Sequence, residues 1–433
     1  MTLDLDQFTQ FSRTNPKQTY TSVMGLLHRP LGLFESFRRI AANKAPGVDG
    51  VRKADYAADV ELRLDALSSQ LRRGGYKPQP VRRVYIPKAS GGRRPLGIPA
   101  FEDRIVQDRA SQILQAIWEP EFLDCSYGFR PGRSAHDALR RVDQIIMQER
   151  THWIVEADIK GFFNHVSHDW LVQFLEHRIA DKRFVRTLQR FLKGGVMEDG
   201  VVSACEEGTP QGGLVSPVLS NIYLHYVLDV WFERRFARHC SGKAHLVRYC
   251  DDFVAFFEHE SDARRFRDAL DDRFAKFNLE VEPSKTQLLN FGLRTGVGHR
   301  RDRPRTFDFL GFTHFIRHSR KGRPILSLKT ARKRFSKKLQ EVGQRFRNMR
   351  NQGTHAILRY AAQHVLGHIQ YYGVSGNWRS LNSYVWYIRF QLFKWLNRRS
   401  QRPSCTWPKF SLLLESYQFP RARIVHRIWT AQL

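Results

Sequence analysis

Apolar residues recur at helical spacing over several stretches of the chain. Leu64, Leu67 and Leu71 follow one another at intervals of three and four residues. This spacing places apolar side chains on one face and predicts a helix over about 62–71. The same pattern predicts further helices over 101–122, 168–195 and 219–236, and an all-helical region from about 327 onward.

Shorter apolar runs bounded by Gly, Pro and charged residues predict strands. The stretch 82–99 has two such runs around the turn Ser90-Gly91-Gly92. Another covers Trp153–Asp158, and two more cover 286–291 and 306–316. The chain thus combines strands and helices, which fits a fold of the α+β class.

One predicted hairpin carries acidic residues at its tip. The apolar runs Leu246-Val247 and Phe253–Phe257 flank Asp251 and Asp252. A third acid, Asp158, ends the strand that begins at Trp153. If these strands are neighbours, the three carboxylates converge and offer the hard oxygen ligands that Mg²⁺ prefers. Taken singly, each acid is as well explained by an ordinary turn or capping residue.

The composition of the chain indicates the kind of partner it binds and its cellular compartment. Lys and Arg total 71 against 42 Asp and Glu, a net charge of +29, which favours a nucleic-acid partner over a merely basic surface. No run of 18 apolar residues occurs and the N-terminus has no secretion signal, so we expect no membrane partner. Five scattered cysteines without a CxxC pair fit a reduced, cytoplasmic protein, near the nucleoid if bacterial.

An ordered set of motifs accompanies the acids. The first is the box Tyr249-Cys250-Asp251-Asp252. The others are Ala45–Gly50, Ile86–Lys88, Arg94–Pro99, Tyr127–Ser134, Ala157–Phe163, Gly208–Gly213 with Ser216-Pro217, Pro283–Thr286 and Phe309–Phe312. Together they resemble the bacterial group II intron-encoded reverse transcriptases, or maturases, whose YxDD sequence is similar to the first box. The resemblance covers the chain from about position 30 to its end.

The resemblance implies a right-hand polymerase fold with fingers, a palm built on an antiparallel sheet, and a helical thumb. The implied division is an N-terminal extension over 1–30, fingers over 31–150, a catalytic palm over 151–320 and a helical thumb, or maturase domain, over 321–433.

It also implies an RNA-directed DNA polymerase that uses two Mg²⁺ ions, with Mn²⁺ as a substitute. Asp158, Asp251 and Asp252 would be the catalytic carboxylates and metal ligands, joined by the backbone carbonyl of Ile159. Phe163 matches the ring that excludes a ribose 2′-hydroxyl and so selects dNTPs. The alternative role for such a ring is core packing, which we expect of the neighbouring Phe162 instead. The further residues expected to contact the dNTP are Arg82, Lys88, Arg94, Gln211 and Lys285, the last as a candidate proton donor to pyrophosphate.

The C-terminal region combines basic and aromatic residues. The residues expected to bind nucleic acid there are Arg332, Lys333, Lys337, Arg398 and Arg399. Tyr371, Tyr372 and Trp386 fit either base stacking or the core of helices. His364 and His368 have the spacing of zinc ligands, but no HExxH pattern or nearby cysteine completes a site, so a structural or RNA-contact role is expected.

Two features depart from the family pattern. Position 250 is Cys where Ala is common, and a residue this small should preserve the hairpin. No HNH endonuclease follows the helical region, so second-strand cleavage by this chain is not expected.

Several functions fit these motifs. The expected function is extension of a DNA primer on an RNA template, together with binding of an intron RNA to assist its splicing and retrohoming. The alternative is a domesticated relative that serves DNA repair or antiviral defence without an intron. A non-catalytic splicing factor conflicts with the intact acids, and an RNA-dependent RNA polymerase conflicts with Phe163. The sequence leaves the particular RNA and the oligomeric state open.

Overall fold

The computed structural model describes residues 4–87, 92–198, 200–203, 207–208, 212–293, 305–319, 321–399 and 405–429. By internal contacts the chain divides into two compact units. The first comprises 1–135, 157–255 and 261–287, and the second comprises 136–156, 256–260 and 288–433. Both contain helices and strands, so the predicted mixture of α and β structure is confirmed.

The first unit begins with helices that pack on one long, largely buried helix. These are α1 (Leu5–Thr14), α2 (Met24–Leu27), α3 (Pro30–Arg39), α4 (Lys53–Ala57), α5 (Val60–Arg73) and the long helix α6 (Phe101–Trp118). The patterns over 62–71 and 101–122 therefore predicted α5 and α6 correctly. Between them lie the antiparallel strands β1 (Val81–Pro87) and β2 (Arg93–Ile98).

The remaining elements up to residue 290 alternate between short helices and strands. They are α7 (Ala135–Gln148), β3 (Trp153–Ala157), α8 (Phe162–His165), α9 (His168–Glu176), α10 (Lys182–Lys193), β4 (Val196–Glu198), β5 (Val201–Ser203), α11 (Ser216–Leu224), β6 (Ala244–Tyr249), β7 (Asp252–Phe257), α12 (Glu260–Lys276) and β8 (Gln287–Asn290). One sheet has the strand order β2-β1-β4-β5, and another has the order β6-β7-β3-β8.

The rest of the second unit is a three-stranded antiparallel sheet followed by helices. Its strands are β9 (Thr306–Phe309), β10 (Phe312–His318) and β11 (Pro324–Thr330), and its helices are α13 (Arg332–Met349), α14 (Thr354–Tyr372), α15 (Trp378–Leu396) and α16 (Trp407–Ser416). The helices enclose an apolar core that includes Phe346, Leu358 and Ile388. Among the described residues, no helix is both long and apolar enough to cross a membrane.

Local interactions account for three differences from the sequence prediction. The helix predicted over 168–195 is two helices, because Asp181 accepts hydrogen bonds from the amides that start α10. The strand predicted over 306–316 is broken into β9 and β10 by a turn in which Leu310 and Gly311 both have positive φ. The helical region begins at Arg332 rather than near 327, because β11 continues the sheet to Thr330.

The helix predicted over 219–236 also changes character along its length. After α11 the chain forms two π-helical turns, His225–Asp229 and Phe232–Phe236. Such turns insert an extra residue per hydrogen-bonded turn and are often found at functional sites. The first of them ends on Asp229, a fully buried carboxylate.

Candidate active site

The tip of the predicted hairpin is a tight turn between β6 and β7, which are adjacent in their sheet. Only Cys250 and Asp251 separate the two strands, and Cys250 has a φ of 60°, in the left-handed region. Asp251 and Asp252 are half-buried, and Cys250 is buried. Burial raises the pKa of the Cys250 thiol to about 12, with the charge of Asp251 adding to the effect, so the thiol stays protonated.

Asp158 follows β3 and is held through its backbone. Its carbonyl accepts a hydrogen bond from the amide of Glu282 (2.8 Å), and the amide of Lys160 donates to the carbonyl of Glu280 (2.9 Å). Ile159, buried between them, forms a β-bridge with Val281. The backbone on both sides of Asp158 is therefore fixed against the segment 280–282.

The acids are electrostatically coupled to one another. Burial raises the pKa of Asp251, and the charge of Asp158 raises it further, whereas the nearby Arg94 lowers it. The ammonium of Lys285 is ion-paired with the carboxylate of Asp158. This hydrogen bond raises the pKa of Lys285, and Asp252 contributes in the same direction. The structure thus brings Asp158, Asp251, Asp252 and Lys285 into one local field.

The donor chemistry of this site suits a divalent cation. The ionised form of Asp251, disfavoured by burial and by the charge of Asp158, would be stabilised by a nearby cation, and carboxylate oxygen is the ligand that Mg²⁺ prefers. Over the described parts of the chain, no group of three or more His, Cys, Asp or Glu side chains has the arrangement of a metal cage. The cation in contact with Asp158 is the ammonium of Lys285.

The expected triphosphate-binding residues lie on or near β1 and β2. Arg94 is exposed on β2, and its charge acts on Asp251. Arg82, on β1, donates to the carbonyl of Pro46 at 2.7 and 3.2 Å, which ties the loop 45–50 to the sheet. Lys88 lies outside the described residues.

The Gly-rich loop after β5 approaches β2 closely. A Cβ on Gly212 would lie 2.4 Å from the carbonyl oxygen of Gly97, so only glycine fits there. The amide of Leu214 donates to the side chain of Gln107 (2.8 Å), which fixes the end of the loop on α6. This anchoring places residue 212 beside the strand that carries Arg94. Gln211, the predicted nucleotide platform, lies outside the described residues.

The two phenylalanines of α8 have different environments. Phe162 is buried in the core, as expected, and its ring meets that of Phe163 edge-on at 5.2 Å. Phe163 is only half-buried, five residues after Asp158. The backbone of Phe163 and Asn164 is also in close approach to Gly208, at distances that exclude a side chain there.

In the second unit, the expected nucleic-acid-binding residues differ in accessibility. Arg332 and Lys333 are exposed at the start of α13, and Arg398 lies over the ring of Trp395. Lys337 lies 3.8 Å from Glu341. Arg399 is partly buried and donates to Thr354 (2.8 Å), which indicates an anchoring role for its side chain.

The environments of Trp386, His364 and His368 distinguish between the roles predicted for these three residues. Trp386 is 61% exposed, so the core interpretation is wrong for this residue. His364 accepts or donates a hydrogen bond with the hydroxyl of Tyr384 (2.8 Å), and His368 stacks on the same ring at 3.6 Å. Burial lowers the pKa of His368 to about 3, so it is neutral, and the structural interpretation of the pair is confirmed.

Sequence reasoning missed one residue beside the turn. Arg248 is completely buried at the end of β6, three positions before Asp251. The available signal was an arginine directly after the apolar pair Leu246-Val247. Its side-chain partners Asp229, Asn221 and Ser126 lie 19 to 122 residues away, so the sequence did not identify them.

A family model described as reverse transcriptase (RNA-dependent DNA polymerase) matches residues 86–314, more than half of the chain. Protein YkfC of Escherichia coli (strain K12) is 40% identical over 245 residues, which are 55% of this chain and 63% of YkfC. The group II intron-encoded protein LtrA of Lactococcus lactis subsp. cremoris is 36% identical over 222 residues, 51% of this chain and 37% of LtrA. The chain therefore spans less than two thirds of either relative.

Proposed function

Since the chain belongs to the reverse transcriptase (RNA-dependent DNA polymerase) family, as its motifs predicted, we propose that it extends a DNA primer on an RNA template with dNTPs. The observation that carries this proposal is the coupling of Asp251 to both Asp158 and Arg94, which joins two acids and a cation in one site. In the proposed right-hand fold, the residues around β1 and β2 are the fingers, the sheet with β6 and β7 is the palm, and α13–α16 are the thumb.

Asp158 and Asp251, with Asp252 and the carbonyl of Ile159, would hold a pair of Mg²⁺ ions. When bound, such a pair offsets negative charge on the attacking and leaving oxygens of a phosphoryl transfer. The field of this site supports that role, because burial and the charge of Asp158 raise the pKa of Asp251, and a nearby cation would offset both effects. Lys285, paired with Asp158, would release that carboxylate when the site is loaded.

The chemistry proposed is attack of the primer 3′-oxygen on the α-phosphorus of a dNTP, with departure of pyrophosphate. Arg94, together with Lys88 and Arg82, would hold the triphosphate, and Gln211 would support the base. Phe163 would exclude a ribose 2′-hydroxyl. Lys285, once free of Asp158, would stand ready to give its proton to the leaving pyrophosphate.

The nucleic-acid partners are proposed from charge and family. A net charge of +29 and the exposed cations at the start of α13 suit binding to a polyanion. Added salt should weaken that binding. We infer that the template includes a group II intron RNA whose splicing and retrohoming the protein assists, because LtrA is a group II intron-encoded protein.

Primer extension on an RNA template with dNTPs and Mg²⁺ tests the polymerase. We expect Asp251→Asn to lower the rate by about 10²-fold or more, because a ligand to the ions is lost. Asp272→Asn, an exposed carboxylate on α12, is the matched control and should extend normally. Equal rates for wild type and Asp251→Asn would overturn the proposal.

Crosslinking to cellular RNA tests the partner separately: enrichment of one structured intron supports the maturase role, and its absence favours repair or defence.

A further inference from the structure

The guanidinium group of Arg248 uses all of its hydrogen-bond donors inside the first unit. Nε and one terminal nitrogen donate to the two carboxylate oxygens of Asp229 at 2.7 and 2.5 Å. The same terminal nitrogen also donates to the hydroxyl of Ser126 (2.8 Å). The other terminal nitrogen donates to the side-chain oxygen of Asn221 (3.1 Å) and to the backbone carbonyl of Cys250 (2.9 Å). An arginine has five N–H donors, and here each has an acceptor.

The bond to Cys250 connects this cluster to the acids. The Cys250 carbonyl and the Asp251 amide belong to the same planar peptide group. The direction of that carbonyl therefore sets the orientation of the Asp251 backbone. Cys250 adopts a positive φ, a conformation that a residue with a Cβ rarely adopts without support. The hydrogen bond from Arg248 is therefore placed to hold this peptide group in its orientation.

The backbone of Arg248 and the side chain of Asn221 are both attached to the segment 125–128. The amide of Arg248 donates to the carbonyl of Cys125 (2.7 Å), and the carbonyl of Arg248 accepts from the amide of Tyr127 (2.9 Å). Asn221 uses its oxygen for Arg248 and its side-chain nitrogen for the carbonyl of Gly128 (2.7 Å). The segment 125–128 is thereby attached both to the end of β6 and to α11.

This segment also touches the turn directly. A Cβ on Gly128 would lie 2.4 Å from Sγ and 2.6 Å from the backbone nitrogen of Cys250. The turn is therefore confined by the Gly128 backbone on one side and by the Arg248 guanidinium at its carbonyl. Stability alone does not explain why these polar groups are buried here. Apolar residues of similar volume often stabilise a core as well as a buried ion pair does.

We propose that Arg248 is a positioning residue for nucleotidyl transfer: its guanidinium, oriented by Asp229, Asn221 and Ser126, holds the Cys250 carbonyl and thereby aims the Asp251 carboxylate. This rests on the proposed polymerase function. Arg248 does not touch substrate in this role. It acts through the backbone of the turn.

The test compares Arg248→Lys with wild type in steady-state primer extension. A lysine keeps the charge opposite Asp229, but its single ammonium cannot bond to Asp229, Asn221, Ser126 and the Cys250 carbonyl together. Misplacement of a reacting group by about 1 Å can cost about 10²-fold. We therefore expect kcat to fall by about 10- to 100-fold while KM for dNTP changes by less than about 2-fold, since the triphosphate-binding cations are untouched.

The matched control is Arg109→Lys. Arg109 is also buried, in α6, where it donates to the carbonyl of Leu26 (3.1 Å) and pairs with Glu35 (3.4 Å). Both variants should lose thermal stability, and assays well below the lower Tm keep both folded. Only Arg248→Lys should lose kcat. An unchanged kcat in folded Arg248→Lys, or an equal loss in both variants, would overturn the inference.

Ser126→Ala provides a second test that leaves no buried charge unpaired and applies if Arg248→Lys does not fold. It removes one acceptor from the guanidinium, and we expect kcat to fall by about 3-fold with KM for dNTP unchanged. A kcat equal to that of wild type would contradict the proposed role. If wild type itself does not extend a primer, the polymerase proposal fails first, so the two failures are distinguishable.

Discussion

The ammonium of Lys285 is ion-paired with the carboxylate of Asp158, 127 residues earlier in the chain. The contact raises the pKa of Lys285, so the lysine is charged at neutral pH. A cation at this carboxylate competes with any metal ion that needs the same oxygen. In the proposed mechanism, Lys285 would therefore link loading of the site to movement of a side chain that is itself a candidate proton donor.

Replacing Lys285 should separate these two roles. Lys285→Gln frees Asp158, so we expect the Mg²⁺ concentration for half-maximal extension to fall by about 3-fold or more, while the maximal rate falls if the ammonium donates a proton. Magnesium titrations of primer extension measure both quantities. Lys160→Gln is the control, since that exposed lysine pairs with Glu280 at 3.0 Å. The same shift in both variants would show a general charge effect.

Phe163 should control the choice of sugar. Phe163→Val removes the ring from α8, and we expect incorporation of rNTPs relative to dNTPs to rise by about 10-fold or more. Competition between the two nucleotides in primer extension measures the ratio. Phe162→Leu should lower stability without changing this ratio, because Phe162 is buried in the core. A wild-type enzyme that already uses both sugars equally would point to RNA synthesis instead.

Gly128 should tolerate no side chain. The Cβ of Gly128→Ala would overlap Cys250, so we expect a loss of about 1–3 kcal/mol in the free energy of unfolding and reduced extension by the folded protein. Gly75→Ala, where nothing lies within 4 Å of the added Cβ, should change stability by less than about 1 kcal/mol. Urea denaturation and primer extension provide the two readouts. Normal stability and rate in Gly128→Ala would contradict the packing described for the turn.

His314 should make the protein sensitive to acid. It is fully buried, its ring stacks on Phe307 at 4.5 Å, and burial lowers its pKa to about 3. Because the unfolded chain binds this proton below about pH 6.5 and the folded chain does not until about pH 3, stability falls as the pH drops through that range. At pH 4.5 the loss from this one residue is about 2–3 kcal/mol.

The substitution His314→Phe should remove that part of the pH dependence. Urea denaturation at pH 7 and pH 4.5 measures it, and the variant should lose less stability on acidification than wild type. His355→Gln, at an exposed position, should behave like wild type. An unchanged difference between the two pH values in His314→Phe would show that other groups cause the acid sensitivity.

Local pattern predicted the elements that carry the acids. The apolar runs on either side of Asp251 and Asp252 are β6 and β7, and Asp158 follows directly after β3. These features depend on alternation and turns within a few residues, which the sequence contains. The same local reasoning failed at the break in the helix predicted over 168–195. There Asp181 starts a new helix by capping α10, and it also accepts hydrogen bonds from the distant amides of Val23 and Met24.

By itself, then, the sequence determined the family, the acids and the local hairpin, because motifs and periodicity are properties of neighbouring residues. Only the tertiary structure decided that Lys285 meets Asp158 and that Arg248 is enclosed by Ser126, Asn221 and Asp229. Those contacts join residues far apart in the chain. The contacts of Arg248 form because a buried charge must find all of its partners once the surrounding helices and strands have excluded water. Lys285 stays exposed, and it meets Asp158 because the backbone of the segment 280–282 is hydrogen-bonded to the residues around Asp158.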